Sequence, residues 1–246
     1  MPDQFLRILP YLIIATGAGL SGGLLAMFWS PNIKTRSAVQ HFAAGAVLAA
    51  VASNVIPEVQ HIGTITGVLA GFTAGGLIMI GLKWAVVKYE RAEKSRHRLP
   101  VGLAAAAAFD TLMDGAIISA GFFSGEQLGV VLAIALSLEL FFLTLSVGSE
   151  FRKGKSQRGQ GLLVTSGIAL MLGAGAFGAG FFLNGAPLTT VAIVLAFGAA
   201  ALIYLIAEEL LVEAIQAEES LISTATLFLG FLILVALTLF SQNRPV

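Results

Sequence analysis

The chain has 246 residues, of which 57% are hydrophobic and only 11% charged, and its mean hydropathy is +0.90. Soluble domains average roughly 45–50% apolar and about 25% charged residues, so this chain cannot cover a water-facing surface, and it is too apolar to remain disordered. Fourteen Lys and Arg balance fourteen Asp and Glu, leaving no basic field for nucleic acid, and the absence of Cys removes disulfides, thiolate metal sites and cysteine nucleophiles.

The composition is that of an integral, multi-pass membrane protein, with the lipid bilayer as its first partner. A spanning helix takes about 20 mostly apolar residues. In chain order the sequence predicts eight, at about 8–28, 40–57, 63–84, 101–122, 127–148, 161–183, 189–210 and 221–241. Pro31-Asn32 marks the end of the first, Pro57 the end of the second, and Pro100 precedes the fourth. Ser124-Gly125-Glu126 joins the fourth and fifth as a short hairpin, and Asn184-Gly185-Ala186-Pro187 is a turn between the sixth and seventh. The first apolar run is too long, and Arg7 too isolated, for a cleavable signal. The fold class expected is an all-α membrane protein forming one transmembrane domain over residues 1–246.

Lys and Arg in short loops set orientation. Lys34 and Arg36 lie in the first loop, Lys83, Lys88, Arg91, Lys94, Arg96 and Arg98 at the third, and Arg152, Lys153, Lys155 and Arg158 at the fifth. The second, fourth and sixth loops carry none. With eight spans, twelve of the fourteen basic residues share the cytoplasmic side and both termini lie outside. Twenty-eight glycines, clustered as in Thr16-Gly17-Ala18-Gly19 and Gly173-Ala174-Gly175-Ala176, point to close helix packing. Asn54-Val55-Ile56-Pro57-Glu58 resembles Glu209-Leu210-Leu211-Val212-Glu213, each placing two polar residues four apart near a helix end. Such a match is what an inverted repeat of spans 1–3 and 6–8 leaves behind, a habit of transporters.

Three acids sit where lipid disfavours them: Asp110 and Asp114 in the fourth span and Glu139 in the fifth. Each costs about 2.5–3.5 kcal/mol at the bilayer centre, and no Lys, Arg or His lies mid-span to offset them. Asp110 and Asp114 are one turn apart on one helix face, Thr111 adds a hydroxyl beside them, and Glu139 lies at matching depth on the neighbouring helix. Either these carboxyls are protonated and hydrogen-bond between helices, or they line a wet cavity, or a bound cation compensates them; for a cation, an oxygen-only set suits a hard or borderline divalent ion. Glu208, Glu209 and Glu213, with His41 at the start of span 2, form a candidate exit path on the cytoplasmic side. Asn54, Glu58 and His61 form a candidate entrance outside, and His97 is given no role.

On these residues the chain resembles the ZIP (Zrt-, Irt-like) divalent metal transporters. The resemblance rests on the eight spans, on His41-Phe42-Ala43-Ala44-Gly45-Ala46-Val47-Leu48 leading to Pro57-Glu58, on Asp110-Thr111-Leu112-Met113-Asp114-Gly115 and on Tyr204-Leu205-Ile206-Ala207-Glu208-Glu209-Leu210. Asp110, Thr111, Asp114 and Gly115 stand at the His, Asn, Glu and Gly of the family's fourth-span motif, and Glu139 stands at the fifth-span His. Leu143 replaces a bridging Glu, Met113 and Phe142 replace motif prolines, and span 6 carries no acid. The resemblance implies a 3+2+3 inverted repeat and a metal site reduced to Asp110, Asp114 and Glu139, with Thr111 as a fourth oxygen. It implies transport of a divalent cation toward the cytoplasm, with zinc, iron, manganese, cobalt or cadmium not distinguished and the metal as substrate rather than cofactor. No organic cofactor and no enzymatic activity are expected. A homodimer and the plasma (inner) membrane of a prokaryote are the expected assembly and location. Two alternatives are a degenerate member of the family that senses or regulates without transport, motivated by the lost ligands, and an intramembrane aspartyl protease. The second fits poorly, since two Asp one turn apart on one helix do not face each other across a gap.

Overall fold

The computed structural model describes residues 2–92, 101–153, 158–210 and 221–242. Among these residues the chain is helical and contains no strand. Helix α1 is Pro2–Phe28. Helix α2 runs over Ile33–Ile62 with a π-turn at Val51–Val55, and α3 is Ile65–Ala92. Helices α4, α5 and α6 are Val101–Ser124, Glu126–Lys153 and Arg158–Leu183. Helix α7 is Leu188–Leu205, continued by a second π-turn at Ile206–Leu210, and α8 is Leu221–Gln242. Helices α1 to α7 are long and apolar enough to cross a bilayer, and α8 carries a shorter apolar stretch at Thr224–Phe240. In lipid every backbone group must find its partner inside the protein, which helices do segment by segment. The chain is an all-α, multi-pass membrane protein.

The expected turns fall where the residues put them. Gly125 is the single non-helical residue between α4 and α5, and Gly185 takes a φ of +76° between α6 and α7, a conformation in which a Cβ is strained. The second span differs from expectation. It does not end at Pro57 but begins at Ile33, where Asn32 Oδ1 accepts the Thr35 N–H at 2.8 Å, and passes through Pro57 to Ile62. A proline ring within a helix crowds the carbonyl four residues back, here that of Ser53. Ser53 lies in the π-turn, where the Ile56 N–H bonds to the Val51 carbonyl, one residue beyond the α pattern. The wider ladder accommodates the ring.

The helices form two groups. Helices α1, α4, α5 and α6 pack on one another, while α8 packs on α2, α3 on α7 and α2 on α7; the groups meet along α2–α5 and α4–α7. Exchanging α1 with α6, α2 with α7, α3 with α8 and α4 with α5 maps α1–α5 onto α6–α4, α2–α8 onto α7–α3, and α2–α5 onto α7–α4. The correspondence reaches single residues. A Cβ added at Gly230 of α8 would strike the Phe42 carbonyl of α2, and one added at Gly75 of α3 would strike the Phe197 carbonyl of α7. Gly75 and Gly230, Phe42 and Phe197, and the π-turn starts Val51 and Ile206 are all 155 positions apart. Asn54 and Glu209 stand at the same offset, each inside its π-turn.

Lipid tails are as apolar as leucine, so contact between backbones rather than escape from water holds such helices together. Thr144 of α5 donates to the Gly19 carbonyl of α1 at 2.7 Å. Polar contacts cross from one group to the other near opposite ends of α2: Arg36 pairs with Glu150 of α5 at 2.9 Å, and Glu58 accepts from Ser124 of α4. The Arg36–Glu150 pair is about a quarter to a third exposed. A double-mutant cycle on it, read by thermal unfolding in detergent, is expected to give a coupling of about 0.2–1 kcal/mol.

Candidate metal centre

Helix α4 opens on a run of alanines, Ala104 to Ala108, the best helix former and the smallest side chain that still disfavours turns. At 1.5 Å per residue, Asp110 lies about 14 Å from the Val101 end of α4 and Asp114 about 15 Å from the Ser124 end. Glu139 lies about 20 Å along α5 from Glu126. With a hydrocarbon core about 30 Å thick, all three sit deep inside.

The structure brings the three together. Asp110, Asp114 and Glu139 are 4%, 1% and 1% exposed, and one carboxylate oxygen from each lies within 4.8 Å of the others. A triangle with sides of that length puts every corner within about 2.8 Å of its centre, so an inward shift of a few tenths of an ångström reaches the roughly 2.0–2.6 Å of oxygen–metal bonds. The arrangement is a small cage of carboxyl groups on two adjacent helices.

The close crossing of α4 and α6 holds Asp114 in place. Gly115 follows it directly, and a Cβ there would strike the Leu172 carbonyl of α6. Gly175 answers from the other side, its added Cβ meeting the Leu112 carbonyl of α4. Thr111 is wholly buried, and its hydroxyl donates to the Ala107 carbonyl at 2.8 Å. Its proton is therefore spent within α4, and only the oxygen lone pairs remain for a cation.

Of the candidate exit residues, Glu208 and His41 have described side chains. Glu208 forms an ion pair with Lys83 of α3, so its charge is already balanced. Glu209 lies in the second π-turn, and Glu213 falls outside the described residues. His41 is buried rather than wet, with Nδ1 2.9 Å from the Ser37 carbonyl. A carbonyl only accepts, so that contact puts a proton on Nδ1.

The candidate entrance residues do converge. Asn54, Glu58 and His61 line one cavity of about 420 Å³, together with Ser53, Ser124 and Gln127. Ser124 was not singled out from the sequence, and neither was Lys83. The signal for Ser124 is its place at the tip of the α4–α5 hairpin. Lys83 lies 125 positions from Glu208, a separation at which no sequence spacing predicts a pair. No protein-family model matches the chain, and no characterised protein matches its sequence.

Proposed function

We propose that the chain is a divalent-cation transporter of the ZIP type, passing its substrate toward the cytoplasm through the cage of Asp110, Asp114 and Glu139. The observation that carries this reading is the convergence of three buried carboxylates at mid-depth on adjacent helices of a membrane protein. Ionisable groups in such places mark ion paths or proton relays, and an all-oxygen set favours hard and borderline divalent cations. The reading takes α8 as an eighth span, with both termini outside and the Lys- and Arg-bearing ends of α2, α3 and α5 in the cytoplasm. The paired helices and the constant offset of 155 support an inverted repeat of α1–α3 and α6–α8 around the α4–α5 hairpin. A plasma membrane of a prokaryote is the proposed location and a homodimer the proposed assembly.

Uptake into proteoliposomes tests this directly. Vesicles holding the full chain are expected to accumulate at least one of Mn²⁺, Fe²⁺, Co²⁺, Zn²⁺ and Cd²⁺, saturably and above protein-free vesicles. Binding without accumulation of any of the five would instead make the protein a metal sensor.

A further inference from the structure

We infer that the cavity at the Glu58 end of α2 is a second, weaker binding site for a divalent transition-metal cation, made by Glu58, His61 and Asn54 and steadied by Ser124. The inference rests on the transporter reading and adds a discrete capture site to it.

Glu58 and His61 are three positions apart, so they share a helix face, and both line the same cavity. Asn54 lies one turn below Glu58 on that face and lines it too. The Ser124 hydroxyl donates to Glu58 Oε1, which fixes the carboxylate and leaves Oε2 for a ligand. The Asn54 side chain supplies an independent pointer. Its Nδ2 is a buried atom with no hydrogen-bond partner among the described residues. An amide donor facing no acceptor is the signature of an amide better turned by 180°. Turned, Asn54 replaces an unpartnered donor with the oxygen Oδ1, a ligand type that suits a cation.

The donor set then comprises a carboxylate, an amide oxygen and an imidazole. Imidazole selects iron, cobalt, nickel and zinc over magnesium and calcium, so this site discriminates by ligand chemistry where the all-oxygen cage does not. One carboxylate against the cage's three makes it the weaker of the two. The two sites are joined in depth. Asn54 lies about 12 Å from the Ile62 end of α2 and Asp114 about 15 Å from the Ser124 end of α4. Ser119, wholly buried and with no hydrogen-bond partner for its hydroxyl among the described residues, stands midway along α4 between Ser124 and Asp114. Glu58 is level with Ser124, which it touches, and Asn54 lies about 6 Å deeper, so capture at the cavity leaves a selected cation about two helical turns short of the depth of Asp114.

The test is titration of the purified full chain with Co²⁺ alone, followed by calorimetry and by the visible ligand-field bands. Two steps are expected, and the weaker should carry the spectral signature of nitrogen ligation. The Glu58→Gln/His61→Ala variant should weaken that step at least tenfold and leave the tight step in place. The Asp110→Ala/Asp114→Ala variant should lose the tight step and keep the weak one. A single step in the parent protein, lost with Asp110 and Asp114, overturns the second site and leaves the cage. A tight step that survives in Asp110→Ala/Asp114→Ala overturns the cage, and the second site is then decided by Glu58→Gln/His61→Ala alone.

Discussion

Replacing Asp110 and Asp114 together by Ala is expected to abolish cation uptake and to weaken binding at the cage by more than about 100-fold. Loss of a group that merely supports a metal ligand costs about 10–100-fold, and this change removes two of the three carboxylates whose oxygens lie within 4.8 Å of one another. The single change Asp114→Asn separates function from folding. Asparagine keeps the shape of a side chain that is 1% exposed but cannot ionise, and a carboxylate charge costs about 2.5–3.5 kcal/mol to place at mid-membrane. The metal-free Asp114→Asn protein is therefore expected to be more stable than the parent by about 1–3 kcal/mol while losing metal binding. Thermal unfolding in detergent, with and without Mn²⁺, reads both effects. If Asp114→Asn lowered stability and left metal-induced stabilisation intact, Asp114 would be a structural residue and the cage would lose its centre.

The second large effect is expected at Gly115. Its Cβ would overlap a backbone carbonyl of α6, that of Leu172, which no rotamer change relieves. Gly115→Ala must therefore force α4 away from α6, at a cost of about 1–3 kcal/mol, and it shifts the residue next to Asp114. Both unfolding temperature and cage affinity should fall. Gly175→Ala opens the same crossing from the opposite helix, against the Leu112 carbonyl. The two changes together should cost less than the sum of their separate effects, because one separation of the helices relieves both. Gly173→Ala is the control, since nothing lies within 4 Å of a Cβ there; it should be neutral or slightly stabilising.

The fold class and the cage were legible because both depend on local signals. Runs of about 20 apolar residues mark spans whatever they pack against, and Asp110, Asp114 and Glu139 are conspicuous in those runs. Their shared depth followed from counting along two helices joined by a single-residue turn. The continuation of α2 through Pro57 was not legible, since a proline reads as a stop unless the π-turn before it is known. The Lys83–Glu208 and Arg36–Glu150 pairs were hidden for another reason: each joins helices distant in sequence, and only packing brings them into register. The proposed repeat showed in the sequence as one five-residue match. Further support for it came from carbonyl contacts such as those at Gly75 and Gly230, where backbone rather than side-chain identity is preserved.

On the proposed inverted repeat, two halves of one pattern would also bring two conformations close in free energy. If the first half took up the packing of the second, and the second that of the first, the same kinds of helix contact would re-form with the cage facing the opposite way. The two states would then differ mainly through positions where the halves are chemically unlike, such as Asn54 against Glu209. A small gap needs only a small push. A cation bound only modestly better in one state than the other is enough to move the population between them. On this reading the protein's economy lies in near-degeneracy, with the ion itself tipping the balance.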